Sequence, residues 1–242
     1  MNEIPTTLSP DAAPELNPAL DCGTLASTFA RTGRVHIADA LRLASAERVY
    51  RCLREETPWS LLVHKDGKSA DPTGLTPSDR ARLAAGSWEY GRDRFAYCYD
   101  HHHLSYGLEP YLQSRHYHAR VVEFLNSSAF ISFMRRMTGM EAIVYTEAHA
   151  TLYRPGDFLT THNDHLPGKN RLAAYVLNMT PDWRTDWGGS LQFLDINGKV
   201  EEHYVPAFNA LNVFRVPQIH RVDRVTPHAG LRYSITGWFH SL

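Results

Sequence analysis

Cysteine is scarce in this sequence: three residues in a chain of 242. Cys22, Cys52 and Cys98 are widely spaced, odd in number and form no CxxC pair. That argues against a disulfide framework and for reduced thiols in the cytoplasm. Excess charge is lacking too. Lys and Arg total 25 against 26 Asp and Glu, a formal net charge of −1. No overall field draws such a chain to nucleic acid or an anionic membrane. No apolar run approaches the roughly 20 residues of a membrane span. The opening "MNEIPTTLSPDAAPELNPAL" lacks the basic-then-apolar order of a secretory signal. With 43% hydrophobic and 21% charged residues, the chain has enough apolar material for one sizeable soluble core.

Residues 1–20 are rich in Pro, Ala and acidic side chains and read as a flexible N-terminal tail. "GRVHIADAL" reads as a short strand. "SAERVYRCLREE" reads as an amphipathic helix, with Val49, Tyr50 and Leu53 on its apolar side. Residues 64–79 have the Gly, Pro, Asp and Ser content of a loop. "DRFAYCYD" puts Phe95, Tyr97 and Tyr99 on one strand parity. Residues 109–139 read as two helices broken near "NSS", with Ser127 or Ser128 as the second N-cap. From residue 142 the pattern changes to short β-rich runs separated by "RPGD", "DWGG", "INGK" and "PHAG". Many short strands at this spacing predict a sandwich or barrel. The expected class is α+β or mainly β, one domain over 21–242: helical support at 21–140 and a β core at 141–242.

The chemistry concentrates in "TTHNDH", residues 160–165. His162 and Asp164 are two apart, which on an extended segment sends both side chains to one side. "PQIHRV" offers His220 as a distant third partner. Two histidines and a carboxylate on one face of an iron ion form the facial triad of non-haem Fe(II) oxygenases. HxD alone is weak in a chain with fourteen histidines, and a solvated turn explains it equally well. His165 has the wrong parity for a ligand. His101, His102 and His103 are adjacent on a strand, so all three cannot face one ion.

The last strand, "LRYSITGWF", carries Arg232, Ser234, Thr236 and Trp238 on one face and Tyr233, Ile235 and Phe239 on the other. The second face suits a core and the first a cavity. A planar guanidinium with a hydroxyl two residues away makes a carboxylate clamp, although a surface ion pair would also explain an arginine here.

Taken together, "YRPGDFLTTHND", "RLAAYVLNMTPDWRTDWGGSLQFLD" and "HRVDRVTPHAGLRYSITGWF" resemble the prolyl-hydroxylase branch of the Fe(II)/2-oxoglutarate dioxygenases, over roughly residues 140–240. The resemblance implies a double-stranded β-helix, or jelly roll, with flanking N-terminal helices. It implies His162, Asp164 and His220 as ligands of Fe(2+). It implies Arg232 as partner of the distal carboxylate of 2-oxoglutarate, Ser234 beside it, Tyr153 lining that pocket and Trp238 near the metal. O2 is the implied cosubstrate and ascorbate a candidate accessory reductant. One position departs from the branch: Val176 stands where relatives carry Tyr or Thr before "LN", and Tyr175 has the other parity.

The branch implies hydroxylation of a C–H bond, first of a prolyl residue in a protein or peptide. Alternatives are free proline, another amino acid or a peptide natural product. A non-catalytic metal- or ligand-sensing jelly roll is a reading from another class. A nucleic-acid substrate is disfavoured, because the last strand has no second Arg and the chain no basic excess. Residues 64–79 and 93–100 are candidates for a substrate lid. Trp183 and Trp187 are candidates either for the cleft mouth or for packing anchors.

Overall fold

The computed structural model describes residues 12–65, 68–69, 74–105 and 116–242. Helix α1 (Cys22–Thr32) starts at Asp21, whose carboxylate accepts from the Gly23 and Thr24 N–H groups, and stops at left-handed Gly33. Strand β1 (Arg34–Ile37) follows, then α2 (Leu43–Arg51), which runs on as a π-turn at Cys52–Glu56. Strands β2 (Ser60–Lys65) and β3 (Lys68–Ser69) precede α3 (Pro77–Tyr90), β4 (Tyr97–Ser105), α4 (Tyr117–Leu125) and α5 (Ser128–Thr138). Nine strands complete the chain: β5 (Tyr145–Thr146), β6 (Ala148–Tyr153), β7 (Phe158–His162), β8 (Arg171–Asn178), β9 (Leu191–Leu194), β10 (Val200–Tyr204), β11 (Ala210–Arg215), β12 (His220–Val222) and β13 (Arg232–His240).

The strands form one antiparallel sheet in the order β1-β11-β8-β13-β6-β4-β7-β12-β9-β10, with β2 on β4 and β5 on β13. The sheet is nearly closed into a jelly-roll-like barrel with a few flanking helices. Its outer face carries the main core. Tyr233, Ile235 and Phe239 of β13 pack there with Phe29 of α1, Val121 and Leu125 of α4, and Phe130 and Met134 of α5. The inner face holds smaller clusters, one around Phe193, Phe214 and Trp238, another around Tyr153, Val222 and Val225. The alternation read in the last strand therefore corresponds to two real faces.

Ser127 caps α5, its hydroxyl accepting from the Phe130 N–H at 3.2 Å. Residues 109–115 of the first expected helix lie outside the described residues. Two sequence expectations need correction. The stretch read as a loop ends in α3, which a capping box starts: Thr76 and Asp79 each bond the other's backbone N–H, and Pro77 takes the first turn. "TPSD" reads as loop by composition but is a helix start by geometry. Residues 12–20 are also tied down, with Asn17 N–H donating to Ala40 O and Arg42 N–H to Glu15 O. Leu16 and Leu20 pack on the core. Residues 1–11 lie outside the described residues.

Candidate metal and cosubstrate site

Strand β7 ends on His162 and β12 begins on His220, and the antiparallel ladder makes the two direct partners. Their ring centroids lie 4.1 Å apart on the inner face. Asp164 reaches them differently from the sequence expectation. It lies beyond the strand, with φ +60°, so strand parity does not place it. This left-handed turn, which Asp tolerates better than most residues, brings its carboxylate back across the strand end. Oδ1 lies 3.4 Å from His162 Nε2 and Oδ2 3.4 Å from His220 Nε2. One donor atom from each residue falls within a common 4.8 Å.

The other ring nitrogens fix the tautomers. His162 Nδ1 lies 2.9 Å from Thr160 O and His220 Nδ1 2.8 Å from Gln218 O. A carbonyl only accepts, so Nδ1 of each ring carries a proton and Nε2 is the atom turned to Asp164. Burial pushes His220 down to about 4, and neighbouring His162 adds to the shift. Burial would lift Asp164, but the His162 and His220 rings outweigh it and hold the carboxyl at about 2. The buried Trp238 indole N–H, which makes no full hydrogen bond, is the weakest contributor. The three donors that converge are thus the two Nε2 atoms and the Asp164 carboxylate. The 3.4 Å gaps are long for hydrogen bonds, and a divalent ion with ligand bonds of about 2 Å suits them. The residues present fit an iron ion.

Arg171 buttresses the turn. Its Nη1 donates to Asp164 O at 3.2 Å, and its guanidinium lies 3.6 Å above the Trp238 ring. Trp238 meets His149 edge-on at 5.6 Å.

Arg232 is 2% exposed. No carboxylate lies within 4 Å of it among the described residues. Its polar contact is Nη2 donating to Asn178 Oδ1 at 3.3 Å, while Nε has no partner. Tyr153, its cross-strand partner, lies under the guanidinium at 4.8 Å and stacks on Tyr99 at 4.9 Å. Burial pushes the Tyr153 hydroxyl above its usual range, so it stays a neutral donor. A buried cation with no carboxylate in contact is costly, though Asp223 acts on it at longer range, and an anionic ligand would reduce the cost. This donor set fits a carboxylate such as that of 2-oxoglutarate. Ser234 shares the inner face, but its hydroxyl is bonded to Thr151 at 2.8 Å.

The double glycine sits against this arginine. Gly188 and Gly189 have φ +67° and +68°; a Cβ on Gly188 would fall 2.2 Å from Arg224 O, and one on Gly189 would lie 3.3 Å from Arg232 Cδ. Trp183 packs with Tyr153 and Val222, and meets Trp187 edge-on at 5.2 Å. It is a packing anchor at the Arg232 end. His165 is exposed and outside the cluster. His102 and His103 point to opposite faces, towards His118 and His149 respectively. Tyr175 buries its ring in the outer core and bonds Glu147 O, whereas Val176 faces inward. Sequence reasoning missed Asn178, Thr151 and Arg171. Asn178 follows the "VL" of β8 directly, and a polar residue ending an apolar strand was the available signal.

Residues 148–240 match the pattern of the 2OG-Fe(II) oxygenase superfamily. The matched stretch contains His162, Asp164, His220 and Arg232, and the chain is similar to that superfamily over it. It is similar to the prolyl 3-hydroxylase OGFOD1 of Xenopus laevis, at 29% identity over 130 residues, 51% of this chain and 25% of the relative. The chain thus spans about a quarter of that relative's length. Among solved structures it is similar to a Pseudomonas putida prolyl-4-hydroxylase, with TM-score 0.55 and 18% identity, covering 92% of this chain and 100% of that one. It is also similar to a Trichoplax adhaerens prolyl hydroxylase in complex with a hypoxia inducible factor oxygen degradation domain peptide fragment. That match has TM-score 0.62 and 16% identity, covering 91% of this chain and 89% of that one. These two likenesses show the fold over most of the chain.

Proposed function

We propose that the protein is an Fe(II)- and 2-oxoglutarate-dependent dioxygenase that hydroxylates a prolyl residue of a protein or peptide. The observation that carries this reading is the pairing of one three-donor cluster with one buried arginine that no carboxylate contacts, on the same inner face. In the reading, His162, Asp164 and His220 hold the iron, which supplies the redox chemistry that couples decarboxylation of 2-oxoglutarate with O2 to C–H hydroxylation. Arg232 grips the distal carboxylate, and Asn178 fixes the fork. Tyr153 supports the guanidinium from below. Phe193 and Phe214, whose rings lie 6.2 Å and 4.7 Å from that of His220, exclude water around the ligands. The prolyl substrate is supported by the relatives, which are prolyl hydroxylases. The reading includes residues 21–242 acting as one domain and a cytoplasmic location, supported by three free cysteines.

The test is succinate release in the presence of Fe(II), ascorbate and 2-oxoglutarate, with proline-containing peptides from the host proteome scanned by mass for an added oxygen. Iron-dependent binding of 2-oxoglutarate and a +16 Da peptide support it. A protein that takes up iron but neither binds nor consumes 2-oxoglutarate would be a non-catalytic module instead.

A further inference from the structure

A groove of about 650 Å³ lies beside the two histidine-bearing strand ends. Its walls are the end of α3 and the following loop, Leu159–Thr161 of β7, and residues 221–224. Thr160 and Thr161 lead directly into His162, and Arg221 follows His220. The Phe95 ring on the groove wall lies 5.5 Å from the His162 ring. A chain segment lying here would therefore pass next to the proposed metal site. The floor is fixed, because Thr160 and Ala96 exchange hydrogen bonds: Thr160 N–H to Ala96 O at 3.0 Å and Ala96 N–H to Thr160 Oγ1 at 2.8 Å.

The lining is basic and aromatic. It has four arginines, Arg92, Arg94, Arg221 and Arg224, against Asp93 and Asp223. Asp223 also lines the groove, with its Oδ1 accepting the Ser190 N–H at 2.5 Å and its charge felt by Arg221. Arg92 is engaged by Glu89 at 2.9 Å, and Arg94 lies 3.8 Å from Asp93. The other two guanidiniums are held by neutral acceptors. Arg221 Nε donates to Gln192 Oε1 at 2.8 Å and Arg224 Nε to Gly156 O at 3.3 Å, and Arg224 also lies 5.0 Å over the Trp88 ring. Neither has a carboxylate within 4 Å among the described residues. Trp88 and Phe95 remain 39% and 44% exposed. Two positioned cations with no carboxylate in contact, beside two exposed aromatic rings and in a lining with four arginines to two aspartates, form a surface complementary to acidic side chains on an extended peptide. A nucleic-acid track would need a longer basic surface, and the chain carries a net charge of −1.

We propose that this groove docks an acidic segment of the peptide substrate, through Arg221 and Arg224, and so selects prolyl sites with Asp or Glu nearby. This inference rests on the prolyl-hydroxylase reading of the adjoining site. It is tested by fluorescence anisotropy on the Fe(II)-loaded protein under anaerobic conditions with 2-oxoglutarate present. The probes are three labelled 20-residue peptides with one central proline, flanked by Glu, by Gly and Ser, or by Lys. A labelled single-stranded RNA oligonucleotide is a fourth probe.

The Glu-flanked peptide should bind about tenfold tighter than the Gly/Ser one and lose that advantage in 0.5 M salt, a concentration of about one-half molar at which exposed charges are screened. Arg221→Gln/Arg224→Gln should abolish the preference, and Arg221→Glu/Arg224→Glu should shift it to the Lys-flanked peptide. Equal affinity for all peptides, a preference unaltered by both double substitutions, or tighter binding of the RNA would overturn the proposal. Titration of 2-oxoglutarate on the same samples separates the two levels. Retained cosubstrate binding without peptide discrimination removes the groove alone; wild-type protein that binds no cosubstrate removes the reaction reading. Because the variants are compared only where cosubstrate binding is retained, misfolding cannot imitate either result.

Discussion

Arg232 Nη2 donates to Asn178 Oδ1 at 3.3 Å, so the buried cation on β13 is held by a neutral amide on the neighbouring strand β8. A neutral partner fixes the fork without cancelling its charge, which leaves it available for an incoming carboxylate. Arg232→Lys keeps the charge but loses the planar fork. It should weaken 2-oxoglutarate binding about 100-fold, the scale of a lost bidentate charge-assisted pair. Asn178→Ala should weaken it about tenfold. The double variant should lose less than the product of the two, because both act on one contact. Titration calorimetry with 2-oxoglutarate measures all three. Full additivity would mean that Asn178 acts elsewhere.

Asp164 and His165 are neighbours in sequence with opposite surroundings. Asp164 meets both histidines at 3.4 Å, and His165 is exposed. Asp164→Ala should lower iron affinity by at least about 100-fold, since it removes the anionic member of the donor set. His165→Ala should leave it unchanged. Cobalt(II) titration followed by visible absorbance reads metal binding without any turnover. Equal losses in both variants would mean the triad is misassigned.

Much of this arrangement was legible in the sequence, for local reasons. The two faces of β13 follow from strand alternation, and the Ser127 cap from its hydroxyl before an apolar helix. What composition hid were features set by a single backbone angle or a distant partner. Asp164 was expected on the same side as His162 because of parity; it arrives there because φ is +60°. Helix α3 was read as loop because Pro, Ser and Asp are also turn residues, and only the reciprocal Thr76–Asp79 bonds distinguish a capping box. Asn178 becomes significant only once the register sets it opposite Ser234, beside Arg232. Strand pairing of that kind is not carried by one sequence.

Two histidines away from the triad, His118 buried and His149 half-buried, make acid stability a further test. Burial, together with His116, His102 and Arg48, pushes His118 down to about 3. Burial, with His103, His101 and Arg171 nearby, does the same to His149, also to about 3. Unfolded histidine titrates near 6.5. Between about 6.5 and about 3 the unfolded chain therefore binds more protons than the native one. Stability should be greatest above that window and fall as pH decreases, by up to about 1.4 kcal/mol per pH unit for each group. Urea midpoints at pH 8, 6 and 5, values chosen to span that window of roughly three units, follow the slope. His118→Gln should cost stability at the highest pH, through loss of the contact to Thr57 at 3.0 Å, yet flatten the pH dependence. A variant with unchanged slope would assign the acid sensitivity to other groups.

The double glycine gives a prediction in which two adjacent positions should behave differently. At Gly188 a methyl group would sit 2.2 Å from Arg224 O at φ +67°, so backbone must move on both sides of the contact. Gly188→Ala should destabilise the fold by more than about 3 kcal/mol, the range of a forced steric and backbone conflict. At Gly189 the nearest atoms are side-chain carbons of Trp183, Arg232 and Val225 at 3.2–3.3 Å. These can yield by tenths of an ångström, so Gly189→Ala should cost less stability, about 1–2 kcal/mol. It should nevertheless displace the Arg232 stem and weaken 2-oxoglutarate binding disproportionately. Denaturant melts and cosubstrate titrations on the same two variants separate the effects. Similar stability losses at both positions, with cosubstrate affinity untouched in Gly189→Ala, would show that the glycines serve only the turn and not the arginine behind it.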